Sequence, residues 1–293
     1  MKTSSEILPR LDYNRVIEYL ATSIRKYFEN ARRKTGVIGL SGGLDSSVTA
    51  YLTVKALGAE GTRLCILPSS VTPREDIEDA MSIIKQLGIP AENWKMISID
   101  QVVETFEKLL GPMGRIEKGN VMARSRMIML YHEAAVHRGL VVGTSDRSEI
   151  LLGYFTKYGD GGADLLPIGG LYKTMVRQLA EHLGVPEKIR NKPASPAFWP
   201  GHTARDEIGV DYEVLDAILY LKFDKGLREG EIQKTLQAPM ETIRMVLERV
   251  RRNRHKRHMP KIFPVDYKGM RLKKKCLTGF RNCKRMPIGV GNI

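Results

Sequence analysis

The chain has 293 residues, 42% of them apolar and 27% charged, and a formal net charge of +14. That length and composition fit a globular protein with an ample core, organised as one large α/β domain rather than two. No run approaches the ~20 apolar residues of a membrane span, and three cysteines supply neither a disulfide framework nor a zinc set.

The opening Met1–Glu6 lacks the apolar centre of a signal peptide, so a cytoplasmic enzyme is expected. Val16, Ile17, Leu20, Ile24 and Phe28 recur at helical spacing and predict an amphipathic helix over 13–28. A strand over 36–40 follows, then glycines, then a helix over 46–57 that ends at Gly58. The pattern repeats: a strand over 63–67, in which Cys65 reads as a small buried hydrophobe, and a helix from Pro73 to Gly88 with Glu75, Asp76 and Glu78 near its start. Next come a strand over 95–99, a helix over 102–110, a break at Gly111–Gly114, a longer helix over 121–137 and a strand over 140–142. The segments 143–149 and 154–164 read as loops, and 171–183 as a helix. The stretch 191–209, rich in proline and without periodicity, predicts an irregular functional loop or linker. Two or three helices complete the chain to about Arg254.

Alternating strands and helices argue for a doubly wound parallel sheet with helices on both faces and a helical C-terminal part. Ligands in such sheets sit beyond the carboxyl ends of the strands, where strand order reverses. The segments after three strands, Ser41–Ser47, Pro68–Ser70 and Gly143–Thr144, are therefore expected to line one crevice.

Among these, Ser41-Gly42-Gly43-Leu44-Asp45-Ser46-Ser47 carries the most chemistry. A strand, a glycine turn and a helix start aim backbone N–H groups at one point and favour an anion there. The glycines permit close approach to a phosphate, the serines add donors, and Asp45 can hold a Mg²⁺. No lysine follows the glycines, so this is not the G-x-x-x-x-G-K-[ST] loop. It resembles the S-G-G-x-D-S pyrophosphate loop of ATP pyrophosphatases, which cleave ATP between its α- and β-phosphates, and so implies a fold of the adenine nucleotide alpha-hydrolase type.

Further stretches narrow the resemblance. Gly119–Met127, Gly143-Thr144 with Ser148-Glu149, Gly153–Asp164 with its Phe-Thr-Lys-Tyr-Gly-Asp run, Pro167-Ile168, Leu171–Thr174 and His255–Arg257 are together similar to ammonia-dependent NAD synthetase over roughly residues 10–265. The resemblance implies that deamido-NAD, ATP and ammonia give NAD, AMP and pyrophosphate through an acyl-adenylate. It implies an ATP site at Gly39, Leu40, Ser41, Gly42, Gly43, Leu44, Asp45, Ser46, Thr144, Lys173 and Ser195. It gives Mg²⁺ to Asp45 and Glu149, and deamido-NAD to Arg124, Lys157, Asp164, His255 and Lys256. Asp45, Lys173 and Glu149 are the expected catalytic residues. It also implies a homodimer whose interface the deamido-NAD site spans. Tyr154, Phe155 and Tyr158 are open to stacking on a ring or filling a core. The glutamine-using members carry an amidase domain for which this sequence has no room.

Two features depart from the family. Its usual P-S-A-x-L-W-x-G-Q-T-D-E reads here as Ala194-Ser195-Pro196-Ala197-Phe198-Trp199-Pro200-Gly201-His202-Thr203-Ala204-Arg205. His202 replaces a glutamine, and Ala204-Arg205 an acidic pair. From Arg251 onward there are also 14 Lys/Arg and one acid, Asp266, while the first 250 residues are nearly neutral. Residues 1–266 are expected to form the synthetase-like domain and 267–293 a flexible basic extension, a possible contact for nucleic acid. Two other readings fit parts of the sequence: a tRNA-modifying ATP pyrophosphatase, and a nucleic-acid-binding paralogue whose residues 231–250 resemble a helix-turn-helix.

Overall fold

The computed structural model describes residues 2–199 and 201–263. The expected extension over 267–293, with Cys276 and Cys283, lies outside them. Residues Met1–Arg257 form one compact unit. In the unit that follows, the described residues 258–263 are exposed.

The chain opens with the short helix α1 (Ser4–Ile7) and the amphipathic α2 (Tyr13–Asn30), capped by Asp12, whose carboxylate accepts from the Arg15 N–H. There follow β1 (Gly36–Gly39), α3 (Leu44–Leu57), β2 (Thr62–Ile66), α4 (Arg74–Gln86), β3 (Trp94–Met96), α5 (Asp100–Leu110), α6 (Arg115–Val136) and β4 (Leu140–Val141). The sheet is fully parallel in the order β3-β2-β1-β4, with Gly36 opposite both Thr62 and Leu140. Strand order reverses between β1 and β4, and the crevice opens there.

Alternate residues of β1 serve opposite faces. Ile38 enters the larger core with Leu64, α2 and α3, while Val37 joins the smaller one with Cys65, Ile99, Met122 and Val141. Both cores need an apolar helix face, which is why helices cover both sides. Cys65 is buried, and desolvation, helped by the negative charge of Glu133, pushes its thiol up to about 11. That fits its expected place as a small hydrophobe.

Beyond the sheet come α7 (Arg147–Leu152), α8 (Lys173–His182), α9 (Glu187–Arg190), α10 (Ala204–Ile208), α11 (Tyr212–Phe223), α12 (Glu229–Leu236) and α13 (Met240–Arg252), then a 3₁₀ turn, Asn253–Arg257. Two segments expected to lack regular structure contain helices. The loop 143–149 gives way to α7 because Asp146 and Glu149 form a capping box, Glu149 N–H to Asp146 Oδ1 at 2.8 Å. The irregular stretch 191–209 contains α10, capped by Thr203, whose Oγ1 accepts from Asp206 N–H at 3.1 Å. Helix α6 also starts six residues earlier than its apolar pattern suggested, directly after Gly114. The segment that resembles a helix-turn-helix forms α12 and α13, but its Ile232, Leu236, Ile243, Val246, Leu247 and Val250 are buried in the larger core.

Candidate active site

The carboxyl ends of β1, β2 and β4 open into a cavity of about 1350 Å³. This exceeds the ~300–1,000 Å³ usual for one small ligand. Its wall includes Ser41 and Gly43–Ser46 from the glycine loop, Pro68 after β2, and Gly143 and Thr144 after β4. Segments some hundred residues apart thus meet as the strand pattern required.

At the glycine loop, Gly42 has φ +79°, and a Cβ there would lie 2.0 Å from the Asp76 carbonyl oxygen. Only glycine lets the loop lie against the start of α4. Gly43 precedes α3 and offers no capping side chain. The Ser46 and Ser47 hydroxyls instead donate to the Gly43 carbonyl at 3.1 and 2.8 Å. The first N–H groups of α3, from Leu44 to Ser46, therefore have no intrahelical acceptor and meet the cavity.

Lys173 begins α8 and is 1% exposed. Its Nζ lies 2.6 Å from Asp45 Oδ2, 2.9 Å from Glu149 Oε1 and 3.0 Å from Asp146 Oδ2. One oxygen from each of these carboxylates falls within 4.8 Å of the others. Burial opposes the Lys173 charge, but the three carboxylates outweigh it and hold the ammonium above the ordinary lysine range. Burial raises the Glu149 carboxyl well above the usual range; Lys173 pulls it down, and Asp146 and Asp45 push it back up. Tyr212 of α11 places its ring centre 5.2 Å from Lys173 Nζ.

The sequence-expected residues divide into two sets. Gly39, Leu40, Ser41, Gly43, Leu44, Asp45, Ser46, Thr144, Glu149, Lys173, Ser195 and Lys256 all line the cavity, and Gly42 forms the turn beneath it. Lys256 Nζ is tied to the carbonyls of Gly153 and Phe155, each at 2.8 Å. Arg124, Lys157, Asp164 and His255 do not line it. Arg124 is exposed and donates to the Lys157 carbonyl at 3.4 Å. The Asp164 carboxylate accepts from the Val141 N–H at 2.7 Å on the open edge of β4, and His255 is exposed in the terminal turn. Of the three open aromatics, Tyr154 and Phe155 line the cavity and Tyr158 is exposed.

Sequence reading missed several residues that line the cavity or stand beside it. Asp146 was legible only as half of a capping box. Arg126 follows Arg124 by two positions, yet it reaches the Leu67 carbonyl at 2.9 Å, and burial lowers its guanidinium to about 10. Lys192 ion-pairs with Asp76 and Asp79 beside Gly42. Along the irregular stretch, Phe198 packs against Gly119 of α6. His202 is buried, stacks on Trp199 with ring centres 3.5 Å apart, and meets Glu207 at 3.0 Å. Glu207 in turn meets Arg249 of α13. The histidine in place of glutamine is thus an internal polar link. Arg205 points away to Asp211 and is largely exposed, so the charge it adds lies off the wall.

The NAD synthase family model matches residues 16–260. The chain belongs to the NAD synthase family. The NH3-dependent NAD+ synthetase of Hyperthermus butylicus is 49% identical over 260 residues, 88% of this chain and 93% of that protein. The one from Sulfolobus acidocaldarius is 47% identical over 256 residues, covering 87% and 91%. Among solved structures, the NMN synthetase of Francisella tularensis is 33% identical with a TM-score of 0.75, over 85% of this chain and 98% of that one. The NH3-dependent NAD synthetase of Campylobacter jejuni, solved with a nitrate ion, is 29% identical with a TM-score of 0.75, over 87% and 100%. The chain is accordingly an amide-forming ligase that uses ATP. The tRNA-modifying and nucleic-acid-binding readings are not favoured, since the matched segment takes in α12 and α13 as parts of the synthetase fold. Among the described residues, no helix is long and apolar enough to cross a membrane.

Proposed function

We propose that the chain amidates deamido-NAD with free ammonia. The observation that carries this reading is the meeting, in one cavity, of bare α3 N–H groups with Lys173, Asp45 and Glu149. The nicotinate carboxylate oxygen attacks the α-phosphorus of ATP, and pyrophosphate leaves. Ammonia, having shed one proton from ammonium, then attacks the acyl carbon, gives up a second proton to become the amide nitrogen, and AMP leaves with the transferred oxygen. The first step brings an anion to an anion, so positioning and charge screening dominate it.

In this reading Gly39–Ser46, Thr144 and Ser195 bind ATP, with the α3 N–H groups on its phosphates. Lys173, a compact point charge, meets the charge that develops on them. Asp45 and Glu149 would hold Mg²⁺. The donor set fits a hard cation: all its ligands are carboxylate oxygens, and Asp45 Oδ1 is buried without a hydrogen-bond partner. When bound, the ion screens the polyphosphate charge. Lys256, which lines the wall, would contact deamido-NAD. Arg124, Lys157, Asp164 and His255 reach that substrate only where a second copy completes the site. Exposed apolar side chains on α5 and α6, Leu109, Leu110, Ile116 and Ile128, support such a homodimer. Residues 1–266 form the catalytic domain, 267–293 are an extension, and the location is cytoplasmic.

The solved NMN synthetase at 33% identity makes nicotinate mononucleotide the competing acceptor. Turnover with ammonium and ATP, measured in turn with deamido-NAD and with nicotinate mononucleotide, decides between them. A higher kcat/KM for the mononucleotide would overturn the dinucleotide assignment. A separate comparison of glutamine with ammonium checks the nitrogen donor, and equal turnover with glutamine would refute the use of free ammonia.

A further inference from the structure

Helix α8 begins at Lys173 without a cap of its own, since Tyr172 before it makes no side-chain cap. The acceptor comes from α11 instead. Asp216 is fully buried, and its Oδ2 accepts from the Thr174 N–H and the Thr174 hydroxyl, both at 2.8 Å. Its Oδ1 accepts from the Ser148 hydroxyl at 2.6 Å, and Ser148 Oγ accepts from the Lys173 N–H at 3.0 Å. One carboxylate thus ties the first two residues of α8 to the second residue of α7.

The residues set by these bonds are Lys173 itself and Glu149, which follows Ser148. Tyr212 lies four positions before Asp216 and shares its helix face. Helix α11 therefore supports Lys173 twice, Asp216 under its backbone and Tyr212 under its ammonium.

A buried carboxylate is a costly cap, and desolvation pushes this one up to about 7. When ionised it offers what a neutral residue does not: both its oxygens only accept. Ser148 must then direct its proton at Asp216 and its lone pair at the Lys173 N–H. An amide at the same place would present a donor to one of these groups and break the chain of bonds.

We propose that Asp216 is a positioning residue for the activation step, acting through Lys173 and Glu149 and touching no substrate. This rests on the reading that those two residues serve the phosphates and their cation.

The test is a double-mutant cycle on AMP formation, with Asp216→Asn, Lys173→Met and the pair. Asp216→Asn is expected to lower kcat about 10–100-fold, as for outer-shell partners of reacting groups, with KM for deamido-NAD held within about twofold. On the Lys173→Met background the same change is expected to cost less than about threefold. An equal loss on both backgrounds, or an unchanged kcat, overturns the proposal. If Asp216→Asn fails to fold, Thr174→Val removes one of the same bonds and must show the same dependence on Lys173. Lys173→Met with undiminished AMP formation would instead sink the reading beneath it.

Discussion

Replacing Lys173 by Met removes the one positive charge that, among the described residues, contacts Asp45, Asp146 and Glu149. Oxygens of these carboxylates lie within 4.8 Å of one another. At an effective dielectric constant near 20, one such pair repels by about 3–4 kcal/mol. Breaking a buried ion pair costs about 3–5 kcal/mol for the same reason. The cluster responds by taking up protons, so its carboxyl pKa values rise in the folded variant. A carboxyl raised above its unfolded value loses stability as pH climbs from about 4 through the folded pKa. The variant should therefore lose about 3–5 kcal/mol at pH 8 and clearly less at pH 5. Urea unfolding of both proteins at the two pH values, without divalent cation, measures this. A deficit independent of pH, or one below about 1 kcal/mol, would refute the assignment of Lys173 as counter-ion of the cluster.

Three other outcomes are expected. Asp45→Ala should lower turnover about 10²–10³-fold, the loss typical of one preorganised electrostatic contact, and steady-state AMP release checks it. Gly42→Ala should weaken ATP binding or unfold the loop, because its Cβ would collide with the Asp76 backbone at 2.0 Å; normal ATP affinity measured by calorimetry would contradict the loop geometry. Asp216, raised by burial to about 7, should make wild-type stability fall between about pH 4 and pH 7, by on the order of 4 kcal/mol relative to Asp216→Asn. A flat difference across that range would remove the buried ionisation.

Much of the fold was legible because period and punctuation agree. Ile38 and Val37 alternate across a strand, and Gly58 and Gly88 stop helices where the apolar pattern stops. What escaped was short or polar. Helices α7 and α10 have six and five residues, too few for a period to register, and only their caps, Asp146 and Thr203, announce them. The site was legible at the glycine loop, where local spacing is itself the geometry. It was not legible at Lys173, which meets Asp45 across 128 residues of chain, nor at Asp216, one of two acids on a mostly apolar helix. Those positions follow from how α7, α8 and α11 pack, a property of no short stretch. The resemblance named Lys173 and left Asp146, Arg126 and Asp216 unmarked, and the last three became visible only through their burial and partners.

The most direct measurement follows one oxygen atom. Deamido-NAD carrying ¹⁸O in its nicotinate carboxylate is turned over with ATP, Mg²⁺ and ammonium, and the products are analysed by mass spectrometry. Attack of that carboxylate on the α-phosphorus predicts one ¹⁸O in AMP and none in pyrophosphate. Label in pyrophosphate, or formation of ADP in place of AMP, would contradict it.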